Sequence, residues 1–192
     1  MSKILQRTQI ADAELVLDES LQIGPDLELT RCVLRCTREL AASYCTFNEC
    51  KFVGIFPKEY YWHGCWFRDC TVTGNLFGHT FGPSIPRHGG GVERCDFSAC
   101  RMDLCEFFTP GEGIKLPKWP SFRVQGLKAV AERIRMNGNW PKQAPVELAR
   151  MAFGRDPDWC VYDAATIVQK RKVPLEELRA ALVNVEGVSF ED

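Results

Sequence analysis

The sequence predicts a β plus α protein: a short parallel β-helix of four to five coils over residues 1–110, then a helical subdomain over 111–192. Three observations carry this. Seven of the ten cysteines (Cys45, Cys50, Cys65, Cys70, Cys95, Cys100 and Cys105) are separated only by multiples of five. A large apolar residue stands two positions after each: Phe47, Phe52, Phe67, Val72, Phe97, Met102 and Phe107. After Gly111 that period gives way to apolar spacings of three and four.

A five-residue period fits neither the 3.6 period of a helix nor the alternation of an ordinary strand, so it is read as a structural repeat. Side chains i and i+2 of extended backbone point the same way, which sends cysteine and phenylalanine into one core. The other positions form corners and outer surface, and hold Glu49, Lys51, Arg68, Asp69, Arg101 and Asp103. Four units make a coil of 20 residues (65 − 45 = 20), which stacks Cys65 over Cys45, Cys70 over Cys50 and Phe67 over Phe47. Ile55, Tyr60, Trp62 and Phe77 continue the inward phase, with Asn75 in a cysteine slot.

Taking the elements in order, the segment from about Ala11 supplies the first coil. LELTR and CVLRC supply the next units in a shifted phase (Leu27 with Leu29, Cys32 with Leu34), reconciled by an insertion near residues 37–43. GPSIPRHGGGVER, residues 82–94, is too rich in Pro and Gly for a regular coil and is expected to leave one corner as a loop, with the phase recovering at Cys95. Beyond it, PKWPSFRVQGLKAVAERIRM suits an amphipathic helix burying Val124, Leu127, Val130, Ala131 and Ile134. APVELARMAF suits a second helix, and Asp156 or Asp158 caps a third through Val161, Ala164, Ala165 and Val168. Pro174 opens a fourth, facing Leu175, Leu178, Leu182 and Val183 inward. An open β-helix end exposes core, and this bundle is the expected cover.

The units CTFNE, CKFVG, CWFRD, CTVTG, NLFGH, CDFSA, CRMDL and CEFFT resemble the pentapeptide-repeat family in a cysteine-rich variant, over about residues 27–108. The resemblance implies a right-handed, four-sided β-helix. Some members of that family imitate DNA and protect type II topoisomerases, a role that needs rows of carboxylates.

A net charge of −1 gives neither the basic field that holds nucleic acid nor the acidic excess that imitates it. The N-terminal segment lacks the apolar stretch and cleavage site of a secretory signal, and no apolar run reaches bilayer length, so the expected location is cytoplasmic, without membrane contact. In that setting cysteines spaced by five read as core residues rather than as a disulfide framework or a metal site. His63 and His79 are the residues that would complete a metal site, and Cys36 and Cys160, outside the main phase, are candidate nucleophiles without an evident histidine partner. His88 lies in the glycine loop without a phosphate-loop context. No catalytic motif is found, and the expectation is a non-enzymatic protein without cofactor or metal.

The outer positions point further. Phe56, Tyr61, Trp66 and Phe81 fall between inward positions and should face outward, Tyr61 stacking with Phe81 and Phe56 with Leu76. They are either a partner surface or a surface covered by the C-terminal helices or by a second copy in a homodimer. With Glu59 of the segment PKEYYWHG, and His88, they form the expected partner-binding set. The expected function is the neutralisation of a protein partner, as an immunity protein or antitoxin acting on a bacterial toxin domain. A topoisomerase-protecting DNA mimic and a scaffold or adaptor are the alternatives. Trp119, Trp140 and Trp159 are read as packing between helices and coil.

Overall fold

The computed structural model describes residues 3–18, 21–83, 89–136, 141 and 157–191. The chain winds into a parallel β-solenoid of about four turns. β1 (Lys3–Leu5), β2 (Thr8–Ala11) and β3 (Glu14–Leu17) make the first coil, so it begins before Ala11. The second holds β4 (Leu21–Ile23), β5 (Leu27–Thr30) and β6 (Val33–Cys36). The third and fourth hold β7 (Cys45–Asn48) with β8 (Lys51–Lys58), then β9 (Trp66–Arg68) with β10 (Thr71–Phe77). β11 (Thr80–Phe81), β12 (Gly91–Glu93) and β13 (Cys100–Asp103) make the next, and β14 (Cys105–Phe107) starts another turn. Two five-stranded parallel sheets result, β2-β5-β7-β9-β12 and β3-β6-β8-β10-β13.

The expected stacking holds where the 20-residue coil holds. Phe67 pairs with Phe47, and above them Leu29 pairs with Phe47, so one inward column runs through three coils. Leu27 pairs with Cys45, which makes that coil 18 residues long (45 − 27 = 18), shortened rather than lengthened by the turn at Thr37–Leu40. The aromatic column is tight: the Phe67 ring lies 4.9 Å from Phe47, 5.1 Å from Trp62 and 5.6 Å from Phe81.

All ten cysteines are free and buried. Their size leaves the axis to phenylalanine, and their thiols supply weak donors that tie coil to coil. Cys50 Sγ donates to the Leu29 carbonyl at 3.3 Å, Cys70 Sγ to Phe47 at 3.4 Å and Cys100 Sγ to Val72 at 3.0 Å. At one corner, Asp12, Arg31, Glu49, Asp69 and Arg94 each adopt φ between +51° and +55°. Such a conformation is unfavourable for residues with a Cβ. It is held because the corner N–H groups bond to the next coil, as Glu49 N does to Arg68 O at 2.9 Å. Outside, Arg31 grips Asp12 and Arg94 grips Asp69, with bidentate contacts of 2.8 and 2.7 Å.

The five-residue phase fails on one face. Phe56 and Phe81, expected outside, are buried, and so is Leu76. Ile55, expected inside, is 60% exposed, and Phe77 is only half-buried. The cause is the corner at Gly54 and Gly74, with φ of +133° and +135°. A Cβ at Gly54 would stand 2.3 Å from the Cys36 carbonyl oxygen, so the coils approach closely there and the chain turns one residue late. The inward position then moves from 55 to 56 and from 75 to 76. Between Asn75 and Phe77 the register then shifts by one residue, pairing Phe77 with Lys58 and Thr80 with Tyr61, which brings Phe81 into the column of Trp62. Regular phase returns at Trp62 and Cys65.

The segment 82–94 is not wholly a loop. Gly91–Glu93 is β12, paired in register with β9, and Val92 occupies the column of Phe67. Gly90 and Gly91 serve close stacking: a Cβ on Gly91 would meet Trp66 at 2.7 Å and Thr109 at 2.8 Å. The phase therefore recovers one unit before Cys95.

The C-terminal part contains strands where helices were expected. Ser121–Gln125 is β15 and Trp159–Asp163 is β16, and α1 (Leu127–Met136) starts only after Gly126. β16 pairs antiparallel with β14 and β15, and β17 (Val188–Ser189) adds to β15. β16, not a helical bundle, covers the last parallel strand. Trp159 closes the core, stacked at 3.8 Å on Phe107 with its indole N–H donating to Thr109 O at 2.8 Å. α2 (Ala164–Arg171) is capped by Asp163, not Asp156 or Asp158, because the preceding residues are extended. α3 (Leu175–Leu182) buries Leu178 and Leu182 in one core cluster with Phe122, Val124 and Val130, while Val183 stays exposed. Three helices are present among the described residues; the expected helix over 144–153, and Trp140, lie outside them. No helix among the described residues is long and apolar enough to cross a membrane.

Candidate partner-binding surface

Two groups of the expected surface residues part company. Trp62 and Phe67 point inward, so the residues beside them, Tyr61 and Trp66, face outward and are half-buried. Phe56 and Phe81 belong to the core instead: Phe81 stacks on Phe107 at 4.9 Å and Phe56 packs edge-on to His79 at 5.9 Å. Glu59 is exposed at a neighbouring corner, with φ +54°. His88 lies outside the described residues.

Tyr61 belongs to an aromatic corner. His63 lies 5.1 Å from its ring and 4.7 Å from that of Tyr44, both edge to face. The Tyr44 hydroxyl hydrogen-bonds the His63 Nε2. Tyr44, overlooked by the sequence reading, is 38% exposed and lies across Gly64. A glycine 20 positions after an outer aromatic was the available signal, because the ring needs the space of the missing side chain on the next coil.

Trp66 forms the wall of a groove of about 530 Å³, lined also by Val92, Glu93, Thr109, Pro110 and Glu112. Arg68 covers part of the indole, its guanidinium 4.7 Å from the ring, and is itself held by Glu93 at 3.2 Å. The Thr109 hydroxyl at the base is buried without a hydrogen-bond partner.

The candidates for chemistry are otherwise engaged. His79 is fully buried; its Nδ1 accepts the Trp62 indole N–H at 3.1 Å and its Nε2–H donates to Pro57 O at 2.9 Å. Burial holds its pKa down to about 4, against the pull of the Pro57 carbonyl. Burial pushes the Cys36 and Cys160 thiols up to about 12, opposite to what an activated nucleophile needs. No group of three or more metal-ligating side chains is found among the described residues. Asp103, expected outside, is buried with its pKa raised by burial, because β16 and α2 dock on its face. No family model, curated protein or solved structure matches the chain.

Proposed function

We propose that this chain is a cysteine-rich, pentapeptide-repeat-type solenoid that acts in the cytoplasm by binding and neutralising a protein partner, as the immunity protein or antitoxin of a bacterial toxin. The aromatic corner of Tyr44, Tyr61 and His63, continued by Trp66 and its groove, carries the reading. Aromatic side chains fixed on a rigid scaffold bind at low entropic cost, and such residues dominate interface energies. Here the rings are fixed by mutual edge contacts and by the inter-coil ladder beneath them. The buried cysteines and the doubly bonded His79 favour a binding role over catalysis.

The DNA-mimic alternative fares worse. Asp12 and Asp69 are each gripped by an arginine, so that corner does not offer an unbroken row of negative charge. A scaffold or adaptor would use the same aromatic corner and differs only in what binding achieves. Co-expression with the product of the neighbouring gene tests the proposal. The wild-type chain should restore growth, and Tyr61→Ala with Trp66→Ala should abolish rescue and binding while leaving the melting profile unchanged. Full rescue by the double variant would remove this surface from the proposal, and absence of rescue by the wild type would remove the toxin.

A further inference from the structure

Arg31, Arg35, Arg68, Arg94, Arg101 and Arg133 each hold a carboxylate, although each is more than a third exposed. Water would solvate those charges without help. Arg123 is the reverse case. It is half-buried, its Nε is buried without a hydrogen-bond partner, and among the described residues it forms no ion pair. Burial lowers its pKa, and no carboxylate acts to raise it.

The cap sheet explains how the charge comes to be there. Arg123 of β15 lies between Val161 of β16 and Ser189 of β17. Trp159 and Val161 face the solenoid core, so Arg123 faces it too. Its guanidinium lies 4.4 Å from the ring of Trp159, the indole that closes the last coil. Stacking positions the group but accepts none of its hydrogen bonds. Beside it is a cavity of about 90 Å³, which Arg123 lines together with Ser121 and Ser189. Ile114 and Leu116, from the segment between β14 and β15, and Phe190 form its apolar wall. Glu191 also lines the cavity, but it is exposed and makes no ion pair with Arg123.

We propose that this cavity binds a small organic monocarboxylate, with the carboxylate on Arg123 and a short aliphatic tail against Ile114, Leu116 and Phe190. The planar guanidinium fork matches a carboxylate, and such a charge-assisted pair is among the strongest hydrogen-bonded contacts. Ser121 and Ser189 offer hydroxyl donors for the remaining lone pairs. The volume is that of about three waters at roughly 30 Å³ each, which limits the tail to a few carbons. An inorganic anion would leave the apolar wall without a contact, and a second negative charge would meet Glu191. The cavity shares no lining residue with the groove at Trp66, so the assignment does not rest on what that surface binds.

The test is an NMR titration of the full chain, with the Arg123 Nε–H resonance assigned by its loss in Arg123→Lys. Butyrate should shift that resonance and the Ser121 and Ser189 amides together, with a Kd of about 1 mM, ordinary for so small a ligand. Butyramide has the same shape without the charge, and inorganic phosphate has charge without the tail. Each should bind at least about tenfold more weakly. Arg123→Lys should weaken butyrate binding about tenfold with the remaining amide spectrum unchanged. Glu191→Gln should tighten it about threefold by removing a like charge at the cavity. An Arg123 resonance that stays in place in tens of millimolar butyrate would overturn the proposal. Equal binding of butyramide or phosphate would do the same, as would weaker butyrate binding by Glu191→Gln. N-acetylvaline binding more tightly than butyrate would give the site to a peptide terminus and overturn its assignment to a free acid.

Discussion

His79 makes the stability of this protein depend on pH in a way that can be isolated. Trp62 Nε1 can only donate and the Pro57 carbonyl can only accept, so the ring is held as the neutral tautomer with its proton on Nε2. Protonating Nδ1 would set two N–H groups against each other in a site with no exposed surface. The folded pKa of about 4 lies below the usual value of 6.5. For a group whose pKa is lowered by folding, the stabilisation is complete above the unfolded pKa and is lost as pH falls from 6.5 toward 4. Linkage gives a loss of about 2 kcal/mol by pH 5 and about 3 kcal/mol by pH 4. His79→Gln keeps one acceptor and one donor but does not titrate. Urea unfolding of both proteins between pH 7.5 and pH 4 should show the wild type losing its advantage through this window. Carboxylates common to both cancel in the difference. Parallel curves between pH 7 and pH 5 would refute the reasoning, as would a His79 ring that titrates near 6.5 by NMR.

Other outcomes follow from the packing. Phe67→Ala removes a ring that touches Phe47, Phe52, Trp62 and Phe81, and should cost about 3–5 kcal/mol in urea unfolding. Trp159→Ala should cost a similar amount and expose the last coil to dye binding, since it removes both the stack on Phe107 and the bond to Thr109 O. A thiol reagent should modify essentially none of the ten cysteines in the native protein and all of them in urea.

The solenoid was legible because its period is carried by core residues: where cysteine and phenylalanine alternate, burial follows. The slip at Gly54 and Gly74 was less legible, because the pentapeptide count continues through it undisturbed and only close approach of the backbones reveals the late corner. That slip misplaced Phe56 inside the expected surface. Tyr61 and Trp66 were placed correctly because regular phase resumes at Trp62. β15 and β16 were missed for another reason. Val124, Val161 and their neighbours are apolar at spacings a helix also satisfies, and short apolar runs do not distinguish the two. Strand formation there is imposed by the unpaired edge of β14, a tertiary demand with no local signature.

The docking of the C-terminal part on the slipped face has an energetic consequence of its own. Asp163 caps α2 through Ala165 N at 2.8 Å and holds Arg101 at 2.8 Å, and its own N–H donates to Asp103 Oδ1 at 3.1 Å. Arg101 is 64% exposed, so releasing it leaves a solvated charge and costs little. Asp163→Ala should therefore cost about 1–2 kcal/mol, the value of the cap, rather than that of a broken buried ion pair. Asp103 behaves differently. Burial raises its pKa, so its contribution to stability is full below the unfolded pKa and is lost as pH rises through the folded one. Asp103→Asn keeps an acceptor for Asp163 N without the buried charge. Relative to wild type it should therefore gain stability between pH 3.5 and pH 7, by urea unfolding at both values. A constant difference would mean that the Asp163 N–H and Thr166 offset burial, and a wild type that gains on the variant as pH rises would mean that they outweigh it.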